Sequence, residues 1–234
     1  EIQSVGQVST FDTGDCFIFE DCDFGGGFLC RHDGLDQLGN IDLRVQDCSG
    51  SLAGFFRLAG VTPGAPDILE TYNNVLTLTR WWQTDATLTD PNFLRIQGGF
   101  YSVANGVTIE DGDEFYWQNL VIYYTGTGAA FTTGAASSNI RDLAFSNIMF
   151  RVSQASAYFG EFGSAALNNN DGLFLKDIFG HAIGGLAVTA TNFINVDTDY
   201  LNVHAGNILA RGGWTNTYVG PVSTEPVDTC FGDD

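Results

Sequence analysis

Phe17-Ile18-Phe19-Glu20-Asp21-Cys22 is the stretch that decides the fold, because it reappears in kind 26 residues later as Leu43-Arg44-Val45-Gln46-Asp47-Cys48. At the same offset, Phe28-Leu29-Cys30-Arg31 lines up with Gly54-Phe55-Phe56-Arg57. In each copy an alternating apolar–polar–apolar strand leads to Asp-Cys, then to a Gly/Ser stretch, then to an aromatic segment that ends in Arg. One such unit is too short to close a core of its own, so the units are expected to stack.

The apolar–polar–apolar strand continues downstream as an irregular repeat of about 25 residues. Asn often stands directly before a strand, as in Asn74-Val75 and Asn119-Leu120. The pattern predicts an all-β chain that forms a short right-handed parallel β-helix of about seven to eight coils. An ordinary β-sandwich is the alternative. The further candidate strands are Leu76-Thr77-Leu78, Leu94-Arg95-Ile96, Val121-Ile122-Tyr123, Leu143-Ala144-Phe145, Leu173-Phe174-Leu175 and Ile194-Asn195-Val196.

The repeat also divides the chain, which is predicted to be a single domain over residues 1–234. Residues 1–15 are polar and are expected to cap the N-terminal end of the helix, where backbone groups would otherwise be unpaired. Residues 16–211 form the β-helix itself. Residues 212–234 lack the strand period and contain Pro221 and Pro226, so a C-terminal arm is expected there.

The charge balance excludes several classes of partner. There are 28 acidic residues against 9 basic ones, which gives a formal charge of −19, and Lys176 is the single lysine. A nucleic-acid binder needs a cationic track, and anionic membrane surfaces repel such a chain. No run of about 18 apolar residues is present to span a bilayer. The start at Glu1, without an initiator Met, is expected of a chain from which a preceding segment has been removed.

One acidic stretch is a candidate metal site. Glu110, Asp111, Asp113 and Glu114 surround Gly112 and offer the hard oxygen ligands that Ca²⁺ prefers. Their spacing does not match an EF-hand loop, and a solvated acidic loop is the favoured interpretation. No other cofactor is expected.

The five cysteines are an odd number, so at least one thiol is free or pairs with another chain. Cys22 and Cys48 occupy equivalent positions of the repeat, which favours buried core thiols. A disulfide between Cys16 and Cys30 is the alternative.

Catalytic sets are missing from the sequence. No serine elbow accompanies His32, His181 or His204. Asp197-Thr198-Asp199 faintly resembles a polygalacturonase signature, but His181 of the accompanying Gly-His fragment precedes it, in the wrong order. The chain is therefore predicted not to be an enzyme, and a carbohydrate-active β-helix enzyme of the polysaccharide lyase or hydrolase kind remains an alternative.

Several large aromatic residues are candidate interface anchors, because Trp and Tyr supply large buried areas with a polar handle. Trp81 and Trp82 are interpreted either as a rung of the core or as an intersubunit anchor. Trp214, Tyr218 and Phe231 lie in the predicted C-terminal arm and are expected to contact a neighbouring subunit.

In texture, the stretches 19–24, 120–131 and 139–148 resemble the β-helical structural proteins of tailed bacteriophages. The resemblance implies a cement, decoration or fibre protein on a virion surface, or in another extracellular setting. It also implies partners that are copies of the chain itself, as a homotrimer, and a capsid or other shell protein. An extracellular filament subunit is the second structural possibility.

Overall fold

The structure is a computed structural model of the chain. It describes residues 2–3, 16–32, 42–58, 68–84, 93–109, 111–133, 139–163, 172–197 and 202–221. Nearly all the regular structure in these ranges is β-strand, and the one helical element is a single 3-10 turn at Ile183–Gly185. In chain order the strands are β1 (Ile2–Gln3), β2 (Cys16–Glu20), β3 (Asp23–Gly25), β4 (Phe28–His32), β5 (Asp42–Gln46), β6 (Ser49–Leu52), β7 (Gly54–Leu58), β8 (Ile68–Leu78), β9 (Gln83–Thr84), β10 (Phe93–Val103), β11 (Val107–Ile109), β12 (Asp111–Tyr124), β13 (Ala129–Thr133), β14 (Asn139–Val152), β15 (Tyr158–Phe162), β16 (Gly172–Ala182), β17 (Asn192–Val196), β18 (Val203–Arg211) and β19 (Asn216–Val219).

Every strand pair is parallel, and the chain winds through three sheets as a β-solenoid, so the predicted parallel β-helix is confirmed. The largest sheet runs in the order β18-β16-β14-β12-β10-β8-β5-β2, while β3 and β6 extend its N-terminal end. Two smaller sheets, β1-β4-β7-β9 and β11-β13-β15-β17-β19, cover the remaining side. The solenoid has about six turns, slightly fewer than expected. Six of the rungs carry one unbroken long strand, from β8 to β18, and the two N-terminal rungs carry it in two pieces.

Each long strand turns a corner at one residue in the left-handed conformation. Asn and Asp tolerate this region better than other side chains, and Gly enters it without steric cost. The corner residues fall in register from rung to rung, with φ from 50° to 68°. We call this row the corner ladder: Asp21, Asp47, Asn73, Gly98, Asn119, Asn147, Asp177 and Asn207.

The corner ladder separates two outward faces of the large sheet. Strand residues before the corner form the first face, and those after it form the second face. In β8, Leu69 and Thr71 point inward before the corner and Asn74, Leu76 and Leu78 point inward after it. The corner residue therefore shifts the in–out alternation by one position. The smaller sheets form the third face.

The inward positions stack as apolar rows in strict register. The first row inside the large sheet is Phe17, Leu43, Leu69, Leu94, Phe115, Leu143, Leu173 and Val203. Stacked rings extend the core, for example Trp117 on Phe145 with ring centroids 4.9 Å apart. Because each rung contributes too little apolar surface to fold alone, this stacking stabilises the coil.

One polar cluster interrupts the core. Asn74 Nδ2 donates to Val45 O at 3.0 Å and to the Tyr101 hydroxyl at 3.2 Å, while Asn74 Oδ1 accepts from Cys48 N at 2.8 Å. Tyr101 also shares a 2.9 Å hydrogen bond with Thr71. Gly99 lies opposite Asn74, and a Cβ there would collide with the Asn74 backbone. The cluster is closed because all its polar atoms find partners inside the coil.

The cysteines agree in part with the prediction of buried core thiols. Cys16, Cys22, Cys30 and Cys48 are all free, so Cys16 and Cys30 form no disulfide here. Cys22 and Cys48 stack on neighbouring rungs, where Cys48 is buried and Cys22 is half-buried. Burial raises the pKa of the Cys30 thiol to about 11.

Each predicted end contains a strand where the structure describes it. Within residues 1–15, Ile2–Gln3 is a strand that pairs with β4. Within the predicted arm, Asn216–Val219 is strand β19, which pairs with β17, so the solenoid extends past residue 211. Two left-handed glycines, Gly212 and Gly213, begin the corner between β18 and β19.

The corner ladder predicts a rank order of substitutions at Asn119, whose φ is 58°. We expect Asn119→Val to lower the free energy of unfolding by roughly 1–2 kcal/mol, because a β-branched residue is disfavoured in the left-handed region. Asn119→Gly should cost less, since Gly98 holds the same position one rung earlier. Urea denaturation of both variants measures the difference, and equal losses would contradict the corner role.

The buried Tyr101 hydroxyl predicts a loss of stability at alkaline pH. Burial raises the pKa of Tyr101 to about 12. Between pH 10 and 12 the unfolded chain releases this proton while the folded chain retains it, so the free energy of unfolding falls as pH rises. Tyr101→Phe should lower the free energy of unfolding by about 1–2 kcal/mol at neutral pH, because it leaves Thr71 and Asn74 short of a hydrogen-bond partner. It should also reduce the fall in the free energy of unfolding at alkaline pH. Urea titrations from pH 8 to 12 test this, and an unchanged slope in Tyr101→Phe would refute it; Tyr123→Phe, on the outward side, is the control.

Candidate functional site

The second face carries a continuous apolar row on its outward side. Its members occupy one register position on the six long strands, and they point to solvent rather than into the core. We call this the apolar row: Val75, Phe100, Val121, Met149, Phe179 and Leu209. Val75 is 57% exposed and Met149 is 41% exposed. With strands about 4.8 Å apart, the row is roughly 24 Å long.

A polar row runs beside the apolar row, two residues further along each strand. It begins with Thr77 and Ser102 and continues with Tyr123. Its last three members, Arg151, His181 and Arg211, are here called the basic row. The corner ladder borders the apolar row on its other side. The apolar row thus lies between the corner ladder and a polar edge that is basic on its last three rungs.

On the six long strands, the second face is free of carboxylates at its outward positions. None of the twelve outward residues of β8, β10, β12, β14, β16 and β18 beyond the corner is Asp or Glu, although the chain contains 28 acidic residues. Arg151 Nη2 instead donates to Met149 Sδ at 3.3 Å and lies along the apolar row. Extended apolar surface without repelling charge is typical of a protein–protein interface.

The first face holds an ion-pair network. Glu70 Oε2 lies 2.9 Å from Arg44 Nε, and Glu70 Oε1 lies 3.5 Å from Arg95 Nη1. The Tyr72 hydroxyl donates to Glu70 Oε1 at 2.9 Å, and the Arg95 guanidinium lies 5.1 Å from the Phe93 ring centroid. Since Glu70 is engaged by three partners and is largely buried, it ties three rungs together and is poorly placed for acid–base chemistry.

A carboxylate pair on the first face is the feature nearest to the enzyme alternative. Glu114 and Asp142 are direct register partners on β12 and β14, so their Cα atoms are about 4.8 Å apart. The Tyr116 hydroxyl donates to Glu114 at 3.3 Å, and burial, followed by these two carboxylates, raises the pKa of Tyr116. His204 lies two rungs beyond Asp142 and stacks flat on Phe174, with centroids 4.8 Å apart.

Two of the predicted interface residues are core residues instead. Trp81 is 1% exposed and Trp82 is 5% exposed. Trp82 stacks on Phe56 at 5.9 Å, and Trp81 packs on Phe55 at 6.4 Å. Both tryptophans are therefore covered by the chain itself and are not exposed anchors. They are a third copy of the 26-residue repeat, one rung after Phe55 and Phe56.

The remaining interface predictions concern the last rungs. Trp214 Nε1 donates to Ala157 O at 3.2 Å, and its ring packs on Phe193 at 5.0 Å. The Tyr218 hydroxyl donates to Pro221 O at 3.2 Å. Both are half-buried within the chain, which leaves part of each ring open. Phe231 lies outside the described residues.

The candidate calcium site is only partly described. Glu110 lies outside the described residues, as do the side chains of Asp111 and Asp113. The stretch is not the expected loop, because Asp111–Tyr124 is strand β12. Glu114 accepts a hydrogen bond from Tyr116. In the described part of the chain, no three His, Cys, Asp or Glu side chains come together to hold a metal ion.

Sequence reasoning missed the apolar row, although a signal for it exists. Each member stands two residues after a corner residue, for example in Asn119-Leu120-Val121, Asn147-Ile148-Met149 and Asp177-Ile178-Phe179. Two consecutive apolar residues after Asn or Asp place one side chain inward and the next outward. The residue type alone does not show which of the two apolar side chains points outward.

Comparison of the chain with protein-family models, curated proteins and solved structures gives no match. In the ranges that the structure describes, no helix is long and apolar enough to cross a membrane.

Proposed function

We propose that the chain is a structural protein that assembles with copies of itself through the second face and acts by protein–protein contact, as a cement, decoration or fibre protein on a virion surface. The observation that carries the proposal is the apolar row, which is six rungs long, on strands whose twelve outward positions beyond the corner contain no Asp or Glu. The virion setting rests on the textural resemblance of the sequence. A role on the virion surface predicts that the protein is present in purified virus particles at a fixed copy number per particle.

The charge distribution favours a second copy of the chain as the occupant of this face. A formal charge of −19 makes like copies repel wherever carboxylates meet. On its six long strands the second face avoids this repulsion, because the outward side there carries the basic row and no Asp or Glu. Two acidic molecules can therefore approach there at least electrostatic cost.

The order of the rows favours parallel copies around a common axis. When the axis runs along the solenoid, the basic row of one copy meets the corner ladder of the next at the same rung. Arg151 then lies beside the next copy's position 147, and His181 beside position 177, where Asn147 and Asp177 present oxygen acceptors. The apolar rows converge on the axis. A cyclic trimer is compatible with this geometry and is the assembly we propose.

The size of the face sets the strength of the assembly. The strip is about 24 Å long and about 17 Å wide, from roughly five residues per strand. This is near half of the ~800 Å² per partner of a standard interface. The second face alone therefore supports an assembly that dissociates on dilution, and a tighter one would need contacts from the neighbouring corners.

Charge placed in the apolar row should abolish the assembly. We expect the wild-type protein to sediment as a trimer at about 100 μM and to dissociate near 1 μM, in the range of a weak interface. Phe179→Glu should remain monomeric, because it buries an unpaired charge on association. Ile18→Glu is the matched control: Ile18 is 62% exposed, but on the first face. Sedimentation velocity distinguishes the three proteins.

Met149 gives a second readout, since it is the single methionine of the chain. Its oxidation by peroxide, followed by mass spectrometry, should slow as protein concentration rises and should not slow in Phe179→Glu. A wild-type protein that stays monomeric at every concentration would refute the proposal. So would loss of assembly in Ile18→Glu alone. A monomer that degrades polysaccharide would favour the enzyme alternative and the Glu114–Asp142 pair.

A further inference from the structure

The third face contains a pocket that the assembly through the second face does not use. It has a volume of about 290 Å³. Its lining residues share two features: they are polar or small, and they belong to β15, to β17 or to the two corners that lead into these strands. They are Ser156, Tyr158, Glu161, Thr189, Ala190, Thr191, Asn192 and Asn195.

Strand register forms the floor of the pocket. Glu161 on β15 pairs with Asn195 on β17. Tyr158 and Asn192, three residues earlier on the same two strands, line the same pocket. All four residues are exposed or half-buried, whereas the two residues between them on each strand, Phe159-Gly160 and Phe193-Ile194, are buried. The floor is therefore a two-by-two group of side chains on two neighbouring parallel strands.

A long corner forms the wall. The corner from Ile183 to Thr191, after β16, is the longest corner between the second and third faces in the described ranges. It folds back across the preceding rung, where Thr189 N and Ala190 N both donate to Ala155 O, at 2.7 and 3.4 Å. Val188 N donates to Gly212 O on the following rung at 3.4 Å. The wall is thus tied to the rungs on both sides, and the pocket is preformed.

The hydrogen-bonding groups of the floor are already oriented. The Tyr158 hydroxyl donates to Glu161 Oε2 at 2.7 Å, and Asn216 Nδ2 donates to Asn192 Oδ1 at 2.8 Å. The second bond leaves the Asn192 amide N–H groups to act as donors. Burial and then Glu161 raise the pKa of Tyr158 to about 12, so its hydroxyl stays protonated at neutral pH.

Other polar groups of the pocket are open to a ligand. The side chains of Ser156, Thr189, Thr191 and Asn195 make no hydrogen bond to any part of the chain that the structure describes. Hydroxyls can donate and accept, and an amide offers both functions at fixed positions. The pocket therefore presents paired donors and acceptors around the edge of one aromatic ring.

The charge of the pocket excludes two kinds of ligand. No basic side chain lines it, and Glu161 repels anions, so phosphates and acidic sugars are disfavoured. A single carboxylate is too few for a dedicated cation site. A neutral molecule with many adjacent hydroxyls and an apolar ring face satisfies all the groups present.

We propose that this pocket binds a neutral saccharide unit, with the sugar hydroxyls on Glu161, Asn192 and Asn195 and the sugar ring against Tyr158. The volume of about 290 Å³ accepts one ring and part of a second. The site lies on the third face, so it does not depend on the assembly through the second face.

The test uses the full chain and a set of defined probes: the methyl glycosides of glucose, galactose, mannose and N-acetylglucosamine, with glucuronate as the anionic probe. Saturation-transfer NMR and calorimetry should detect at least one neutral glycoside with a dissociation constant near the millimolar range expected of a small, open pocket. Glucuronate should not bind.

Variants separate a built site from adventitious contact. Glu161→Gln and Asn195→Ala should each weaken binding of the neutral glycoside roughly tenfold, by removing one directed hydrogen bond. Ser102→Ala, outward on the second face, should leave it unchanged. Circular dichroism confirms that each variant is folded. No binding of any neutral glycoside up to about 20 mM, or binding that the two pocket variants leave unaltered, would overturn the proposal. Sedimentation of Asn195→Ala should match the wild type, so failure here is distinguishable from failure of the assembly.

Discussion

Parallel backbone pairing in strict register is the constraint on which the rest of this molecule depends. Each rung hydrogen-bonds to the rungs on both sides, so a residue type placed at one position is repeated along the axis about every 4.8 Å. Rows of side chains follow directly from this constraint. The inward apolar rows, the corner ladder, the outward apolar row and the two-by-two floor of the pocket are all consequences of one register.

The corner residue determines which side chains of each strand point inward. A single left-handed Asn, Asp or Gly advances the in–out alternation by one position, so the chain after the corner presents a new face. The corner also decides which apolar side chains are buried: Ile178 lies inside and Phe179, its neighbour, lies outside. A charge of −19 is compatible with association because no acidic residue occupies the outward positions of the six long strands beyond the corner.

The 26-residue echo could be predicted because the first two rungs have equal lengths. The register pairs Phe17 with Leu43 and Cys30 with Phe56, as the repeat indicated. Downstream the equivalent positions are separated by unequal steps, from 21 residues between Leu94 and Phe115 to 30 between Leu143 and Leu173. The series of strands predicted from the sequence consequently contains residues from different rows of the solenoid. Leu76 and Val121 belong to the part of the strand after the corner, and Ile194 to the third face.

The candidate sites, too, could be predicted from the sequence only in part. Trp81 and Trp82 repeat Phe55 and Phe56 at the 26-residue offset, and the hydrogen bond from Phe55 N to Trp81 O together with the ring stacking shows that they belong to the core. The pocket could not be predicted either, because Glu161 and Asn195 are 34 residues apart in the sequence and meet through register alone.

By itself, then, the sequence determined an all-β coil of stacked units, its apolar interior and its strongly acidic charge, since these depend on local alternation and composition. Only the tertiary structure decided which of two adjacent apolar residues faces solvent and which distant polar residues share a surface. The physical reason is that a one-residue shift at the corner exchanges inside and outside. The number of residues between rungs then decides which side chains become neighbours.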